Sequence, residues 1–190
     1  MAKVQVYSFE PIPATFNYLT YNLRLNDVEN VIPFNFGLAK NNQEALFYYF
    51  RGGSAIASLE NLIEHENIDR ISCKLRRMDD VVQEQKITKL DIIKCDVEGS
   101  ELSILQGGLV TLEKLKPIIY IELYEPWCKK FDYNTSDVMS LLFGLGYKCY
   151  SAIQDRLINL TQIDNNNDKY NFFFLHTEKH KNILSKLLSN

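Results

Sequence analysis

The chain reads as a single α/β domain on a mostly parallel sheet, with an antiparallel strand near its C-terminus. Short apolar runs alternate with segments of helical spacing along most of the length, the pattern of strand–helix–strand units. Leu90, Ile92, Ile93, Cys95 and Val97 suggest a strand covered on both faces, and Ile118-Ile119-Tyr120-Ile121 is continuously apolar, as buried central strands are. Carboxylates stand at the carboxyl ends of three strands: Glu10, then Asp96 with Glu98, then Glu122. With 190 residues and no repeat, linker or shift of composition, residues 1–190 are expected to form one domain with a substantial core.

Val4, Val6 and Phe9 predict a first strand ending at Glu10-Pro11, and Pro13–Asn26 a helix with Phe16, Leu19 and Leu23 on one face. Val28–Ala39 is expected as one strand and Gln43–Phe50 as the next, joined across Lys40-Asn41-Asn42 as a hairpin-like excursion. A loop at Arg51-Gly52-Gly53-Ser54, a short helix from Leu59 to Glu66, a strand from Ile68 to Leu75 and a helix from Met78 to Gln85 follow. After the strand at Leu90–Val97, the spacing of Leu102, Leu105 and Leu109 predicts a long helix ending near Lys116. Pro117 opens the strand ending in Glu122, Thr135 or Ser136 caps a helix through Leu145, and Gly146 stops it before a strand at Tyr147–Ile153. A polar loop (Asp164–Asp168), a buried strand (Phe172–Leu175) and a terminal helix (Lys179–Leu188) complete the reading.

Composition narrows the partners. A formal charge of −3 gives no electrostatic reason to expect nucleic acid or an anionic membrane, so a small polar substrate is the better expectation. Cys73, Cys95, Cys128 and Cys149 form no CxxC pair and read as buried reduced thiols, which points to the cytoplasm. The N-terminal residues lack an apolar signal core, and no run approaches the roughly 18 apolar residues of a membrane span. Asn134-Thr135-Ser136 and Asn159-Leu160-Thr161 match the glycosylation pattern, as chance matches do in an asparagine-rich chain.

Ligands of open α/β sheets bind beyond the carboxyl ends of the strands, so the acids placed there are the candidates for chemistry. Glu10, fixed by two following prolines, either accepts hydrogen bonds from the hydroxyls of a ribose or is a solvated acid before a turn. Asp96 and Glu98, between a strand and the start of a helix, are candidate proton acceptors, their mutual repulsion raising proton affinity. Glu122 is a candidate for orienting substrate. Trp127 is either beside the substrate or a cap on the core. A divalent metal held by Asp96, Glu98 and Glu122 ranks below the proton-acceptor reading, and no metal is assigned; His176 and His180, four apart, lack a third ligand.

Val6-Tyr7-Ser8-Phe9-Glu10-Pro11, the strand around Asn35, Met78-Asp79-Asp80 and Asp91-Ile92-Ile93-Lys94-Cys95-Asp96-Val97-Glu98-Gly99 resemble, in order and spacing, the FkbM-type S-adenosylmethionine-dependent methyltransferases. The resemblance runs from about Val4 to about Tyr150. It implies a Rossmann-like class I methyltransferase fold and S-adenosylmethionine as cofactor. The implied acceptor is a hydroxyl on a sugar, glycan or secondary metabolite. It further implies that Glu10 and Pro11 hold the ribose, that Phe36 and its neighbours lie near the adenine, and that Asp96 and Glu98 face the methyl donor and acceptor. The family carries a GANxG loop on the strand before the one ending in Glu10, whereas nine residues precede Glu10 here. The expected fold therefore lacks the family's first strand and helix, an N-terminal truncation relative to the family. That departure supports a second reading, a non-catalytic remnant acting as a binding or assembly module. The strand edges it would expose are expected to favour a homo-oligomer.

Overall fold

The structure is a computed structural model describing residues 4–50, 57–59, 68–154, 156–164 and 170–188. The expected loop at Arg51–Ser54, nearly all of the expected Leu59–Glu66 helix and most of the expected Asp164–Asp168 loop lie outside those residues.

Strand β1 (Val6–Phe9) runs through Glu10-Pro11-Ile12 into helix α1 (Pro13–Leu25). Pro13 suits the first helical turn, where an N–H would have no intrahelical partner. Phe16, Leu19 and Leu23 form the better covered face, as their spacing predicts, yet no residue of α1 is fully buried and Tyr18 is 71% exposed. Strand β2 (Val31–Phe34) pairs parallel with β1 from Val6↔Val31 to Phe9↔Phe34, and Pro33, lacking an N–H, is tolerated because β2 is an edge strand.

The expected single strand from Val28 to Ala39 is split. The Asn35 amide donates to the carbonyls of Glu10 (3.0 Å) and Pro11 (3.3 Å), which pins the break after β2. The chain then enters β3 (Gly37–Leu38), part of a separate sheet with β4 (Gln43–Phe50), β5 (Ala57–Ser58) and β6 (Ile68–Arg76), in the order β3-β6-β4-β5. The expected hairpin across Lys40–Asn42 does not form, because β6 lies between β3 and β4, parallel to the first and antiparallel to the second. Gly37 permits this approach: a Cβ there would sit 2.7 Å from Leu75 Cδ2.

Helix α2 (Met78–Glu84) leads to β7 (Ile92–Cys95), then α3 (Glu101–Gln106), α4 (Leu109–Leu115) and β8 (Ile118–Glu122). The long helix expected to end near Lys116 is thus two helices, broken at Gly107-Gly108. A Cβ on Gly107 would lie 2.0 Å from the Ala39 carbonyl oxygen, so tertiary contact with the segment after β3 sets the break. Short α5 (Glu125–Lys130), α6 (Thr135–Gly144), β9 (Tyr147–Ile153), β10 (Arg156–Leu160), β11 (Asn171–His176) and α7 (Lys181–Leu188) complete the chain. The cap of α6 is Asn134, one residue before the expected Thr135, in a reciprocal box with Asp137.

The larger sheet runs β10-β9-β11-β8-β7, and only β7–β8 is parallel in it. The expectation of a mostly parallel sheet is therefore corrected to a mixed one. The connection from β9 to β10 is too short for a crossover and dictates an antiparallel pair, and β11 inserts antiparallel between β8 and β9. The antiparallel C-terminal strand itself is found as expected.

Leu105, Leu112, Ile119, Ile121, Val138, Leu142, Cys149 and Phe174, none with exposed surface, belong to the main core between this sheet and helices α3, α4 and α6. Ile12, Ala39, Phe47, Cys73 and Leu75 form a second cluster, and Tyr150, Leu175 and Leu184 a third under α7. Strand β7 is not covered on both faces as expected: Cys95 is buried, but Ile92 is 56% exposed and Lys94 also faces solvent. The reason is position, since among the described residues β7 pairs with β8 alone; β1 likewise pairs only with β2. All four cysteines are buried free thiols, as expected.

Candidate active site

The carboxyl ends of β1 and β2 gather one group of predicted residues. Proline on either side of Ile12 restricts the chain after β1, and the Ile12 N–H donates to Glu10 Oε1 at 2.8 Å, folding the carboxylate back over its own turn. Partial burial pushes the Glu10 carboxyl up, offset by that hydrogen bond. No described residue donates to its second oxygen. Phe36, beyond β2, packs 5.2 Å from Phe34 and 5.7 Å from Phe9, and Phe9 and Phe34 stack at 5.3 Å. The Arg76 guanidinium, forked onto Glu84, lies 5.3 Å over the Phe36 ring. Glu10, Pro11 and Phe36 thus flank one another, joined through the Asn35 amide.

The second group forms where β7 gives way to α3. Asp96 is exposed, and its Oδ2 lies 2.8 Å from Lys94 Nζ. Glu98 adopts φ +57° and Gly99 φ +102°, two consecutive left-handed residues that turn the chain sharply. Only glycine fits the second position, because a Cβ would meet the Phe131 ring at 2.5 Å. Glu101, 2% exposed, holds this turn from inside. Its Oε1 accepts from the N–H groups of Val97 (3.3 Å) and Gly99 (3.2 Å), and the Tyr133 hydroxyl lies 2.9 Å from both its Oε2 and the Gly99 carbonyl.

This turn brings carboxylates together at a partly buried place. Burial, then the charges of Glu122, Asp96 and Glu101, push Glu98 up to about 7. Glu122, at the end of β8, is raised by burial and by Asp96, through its charge and a hydrogen bond. Asp96, Glu98 and Glu122 therefore share one electrostatic neighbourhood, as the strand-end rule predicts. Among the described residues no group of three His, Cys, Asp or Glu is placed to hold a metal ion, so these three do not converge as ligands. Trp127 on α5 packs edge-on against Tyr124 at 5.1 Å, with its carbonyl over Gly99, and so stands beside the turn. His176 and His180 are buried together, with the His176 N–H donating to His180 Nδ1 at 2.9 Å, a structural contact.

Glu101 and Tyr133 were not expected from the sequence. One signal for Glu101 was present: it stands four residues before Leu105, on the apolar face of its helix, where an acid needs a reason. Asp79, in the motif Met78-Asp79-Asp80, has a structural role. Its Oδ1 accepts from the Thr111 N–H (2.8 Å) and hydroxyl (2.7 Å), capping α4 from outside.

A crystal structure described as methyltransferase FkbM from Methylobacillus flagellatus KT superimposes on 90% of this chain and 36% of that one, with a TM-score of 0.52 at 17% identity. The fold is accordingly that of a methyltransferase-like α/β domain. The methyltransferase FkbM domain model matches residues 2–149, and the chain belongs to that family. Relatives include Methyltransferase sdnD of Sordaria araneosa, 26% identical over 65% of this chain and 59% of its own length. Hexuronic acid methyltransferase AglP of Haloferax volcanii is 29% identical over 62% of this chain and 46% of its own length. The chain thus spans about half the length of these curated relatives. Among the described residues no helix is long and apolar enough to cross a membrane.

Proposed function

We propose that this chain is an S-adenosylmethionine-dependent methyltransferase domain acting on a hydroxyl of a sugar, glycan or secondary metabolite in the cytoplasm. The observation that carries the reading is Glu10. One carboxylate oxygen is fixed by the Ile12 N–H while no described residue donates to the other, the arrangement of an acceptor waiting for ribose hydroxyls. The residues fit the cofactor: Glu10 and Pro11 would hold the ribose and Phe36, in its aromatic cluster, the adenine. When bound, the cofactor supplies an electrophilic methyl group on a sulfonium.

The chain's own work is then to orient the acceptor hydroxyl and remove its proton. Glu98, raised to about 7, takes the proton near neutral pH, with Asp96 beside it. Glu122, in the same carboxylate neighbourhood, and Trp127, whose carbonyl lies by Gly99, orient the acceptor. The Haloferax volcanii relative is named for an acidic sugar, which favours a sugar as the class of acceptor without fixing its charge.

The finer fold reading belongs to the same proposal: one domain across residues 1–190, in which β1–β2 and the five-stranded sheet are parts of a single Rossmann-like sheet open between β1 and β7. It is supported by each of those strands having a single partner among the described residues. The same open edges favour a second reading, a binding or assembly module without catalysis.

Transfer of radiolabelled methyl to a panel of glycosides separates the two. The first reading expects labelled glycoside, reduced about 10²-fold or more by Glu98→Gln. Absence of transfer across the panel by a folded, cofactor-binding chain favours the second.

A further inference from the structure

A cavity of about 780 Å³ opens beside the carboxylate turn, between α6, the α5–α6 connection and the residues after β10. We propose that it is a binding subsite for a neutral sugar ring. Its role as a station for the acceptor rests on the methyltransferase reading, but binding itself does not.

The chemistry of the walls selects the ligand. Ser136, Ser140 and Phe143 recur at i, i+4 and i+7, so they share one face of α6, the face opposite buried Val138. Thr161 and Gln162, which follow β10, line the cavity as well. The Ser140 and Thr161 hydroxyls and the Gln162 amide can donate and accept at once, matching sugar hydroxyls, which also do both, while the Ser136 hydroxyl, which donates to Asn134 Oδ1, keeps acceptor lone pairs. Phe143 is 38% exposed in the lining and packs against Phe174, with ring centroids 6.5 Å apart, so an aromatic side chain is available there to the apolar face of a pyranose. Asp132 adds an acceptor-only carboxylate at the rim.

The charges argue against an anion. Lys129, the cation of the lining, is paired with Glu125 at 3.6 Å, and Asp132 adds negative charge, so a phosphate or uronate would meet repulsion. The volume falls within the range of about 300–1,000 Å³ usual for small-molecule sites. Tyr133 joins the cavity to the chemistry, since it lines the cavity and its hydroxyl touches Gly99 and Glu101.

Amide resonances of the isotopically labelled chain, titrated with neutral methyl glycosides and with a methyl uronoside, test the proposal. The expected result is saturable shifts centred on Ser140, Phe143 and Gln162 with a neutral glycoside. Ser140→Trp, at an exposed position, should weaken that binding about tenfold or more, the loss of about 1.4 kcal/mol. Preference for the uronoside, shifts elsewhere, binding unaffected by Ser140→Trp, or no shift up to the solubility limit would each overturn the proposal. A parallel titration with S-adenosylmethionine keeps the two readings apart. Cofactor binding without glycoside shifts removes the subsite alone, and glycoside shifts without cofactor binding remove the transfer reading and leave a sugar site.

Discussion

At Glu98 the requirements of folding and of chemistry diverge. The carboxyl titrates near pH 7 in the folded chain against about 4.5 when unfolded. Between those values the folded state holds the extra proton, so the favourable contribution is complete below about pH 4.5 and is lost as pH rises through 7. Glu98→Gln stays neutral throughout. Thermal unfolding should show the variant matching wild type at pH 4 and exceeding it above pH 7, by about 1 kcal/mol once solvent screening of this half-exposed group is allowed for. A variant equally shifted at both pH values would contradict the burial argument. Methyl transfer should rise with pH through the same region in the wild type, as expected of a proton acceptor. The opposite sign of substitution cost is expected at Glu101. Glu101→Ala leaves the part-buried Val97 and buried Gly99 N–H groups without their acceptor and the Tyr133 hydroxyl with the Gly99 carbonyl alone, and denaturant unfolding should register a loss of about 2–4 kcal/mol. The acids at strand ends were legible in the sequence because a carboxylate after an apolar run declares its position. Glu101 and Tyr133 were not, since their meaning arises from a contact between residues 32 positions apart.

At the scale of elements, periodicity located most strands and helices, and β4 coincides with its prediction at Gln43–Phe50. It failed where a distant segment decides. The break between α3 and α4 depends on Gly107 meeting Ala39, and the pairing of β4 depends on β6 arriving from beyond residue 67. A Cβ at Gly107 would strike backbone rather than a movable side chain. Gly107→Ala should therefore cost about 2–3 kcal/mol in denaturant unfolding, whereas the same change at Gly144, where nothing lies within 4 Å, should not destabilise. Equal effects at the two glycines would refute the close approach. Asp79→Ala removes the outside cap of α4 and should cost about 1–2 kcal/mol without moving cofactor affinity.

Across the whole molecule, the two groups of candidate residues sit at the carboxyl ends of strands in different sheets, β1–β2 and the five-stranded one. Among the described residues the edges of β1 and β7, with exposed Val6 and Ile92, have no partner strand and offer backbone for association. Sedimentation should show mass rising with concentration, and Ile92→Lys should suppress it; a monomer at every concentration would count against pairing at these edges. Whether Glu10 holds the ribose of a methyl donor is tested by calorimetric titration of the chain with S-adenosylmethionine, beside Glu10→Ala. Saturable binding is expected in the wild type, weakened about tenfold or more by the substitution, as loss of a charge-assisted hydrogen bond of about 1.5–3 kcal/mol requires. A folded wild-type chain that takes up no cofactor, or a Glu10→Ala variant that binds it equally well, would contradict it.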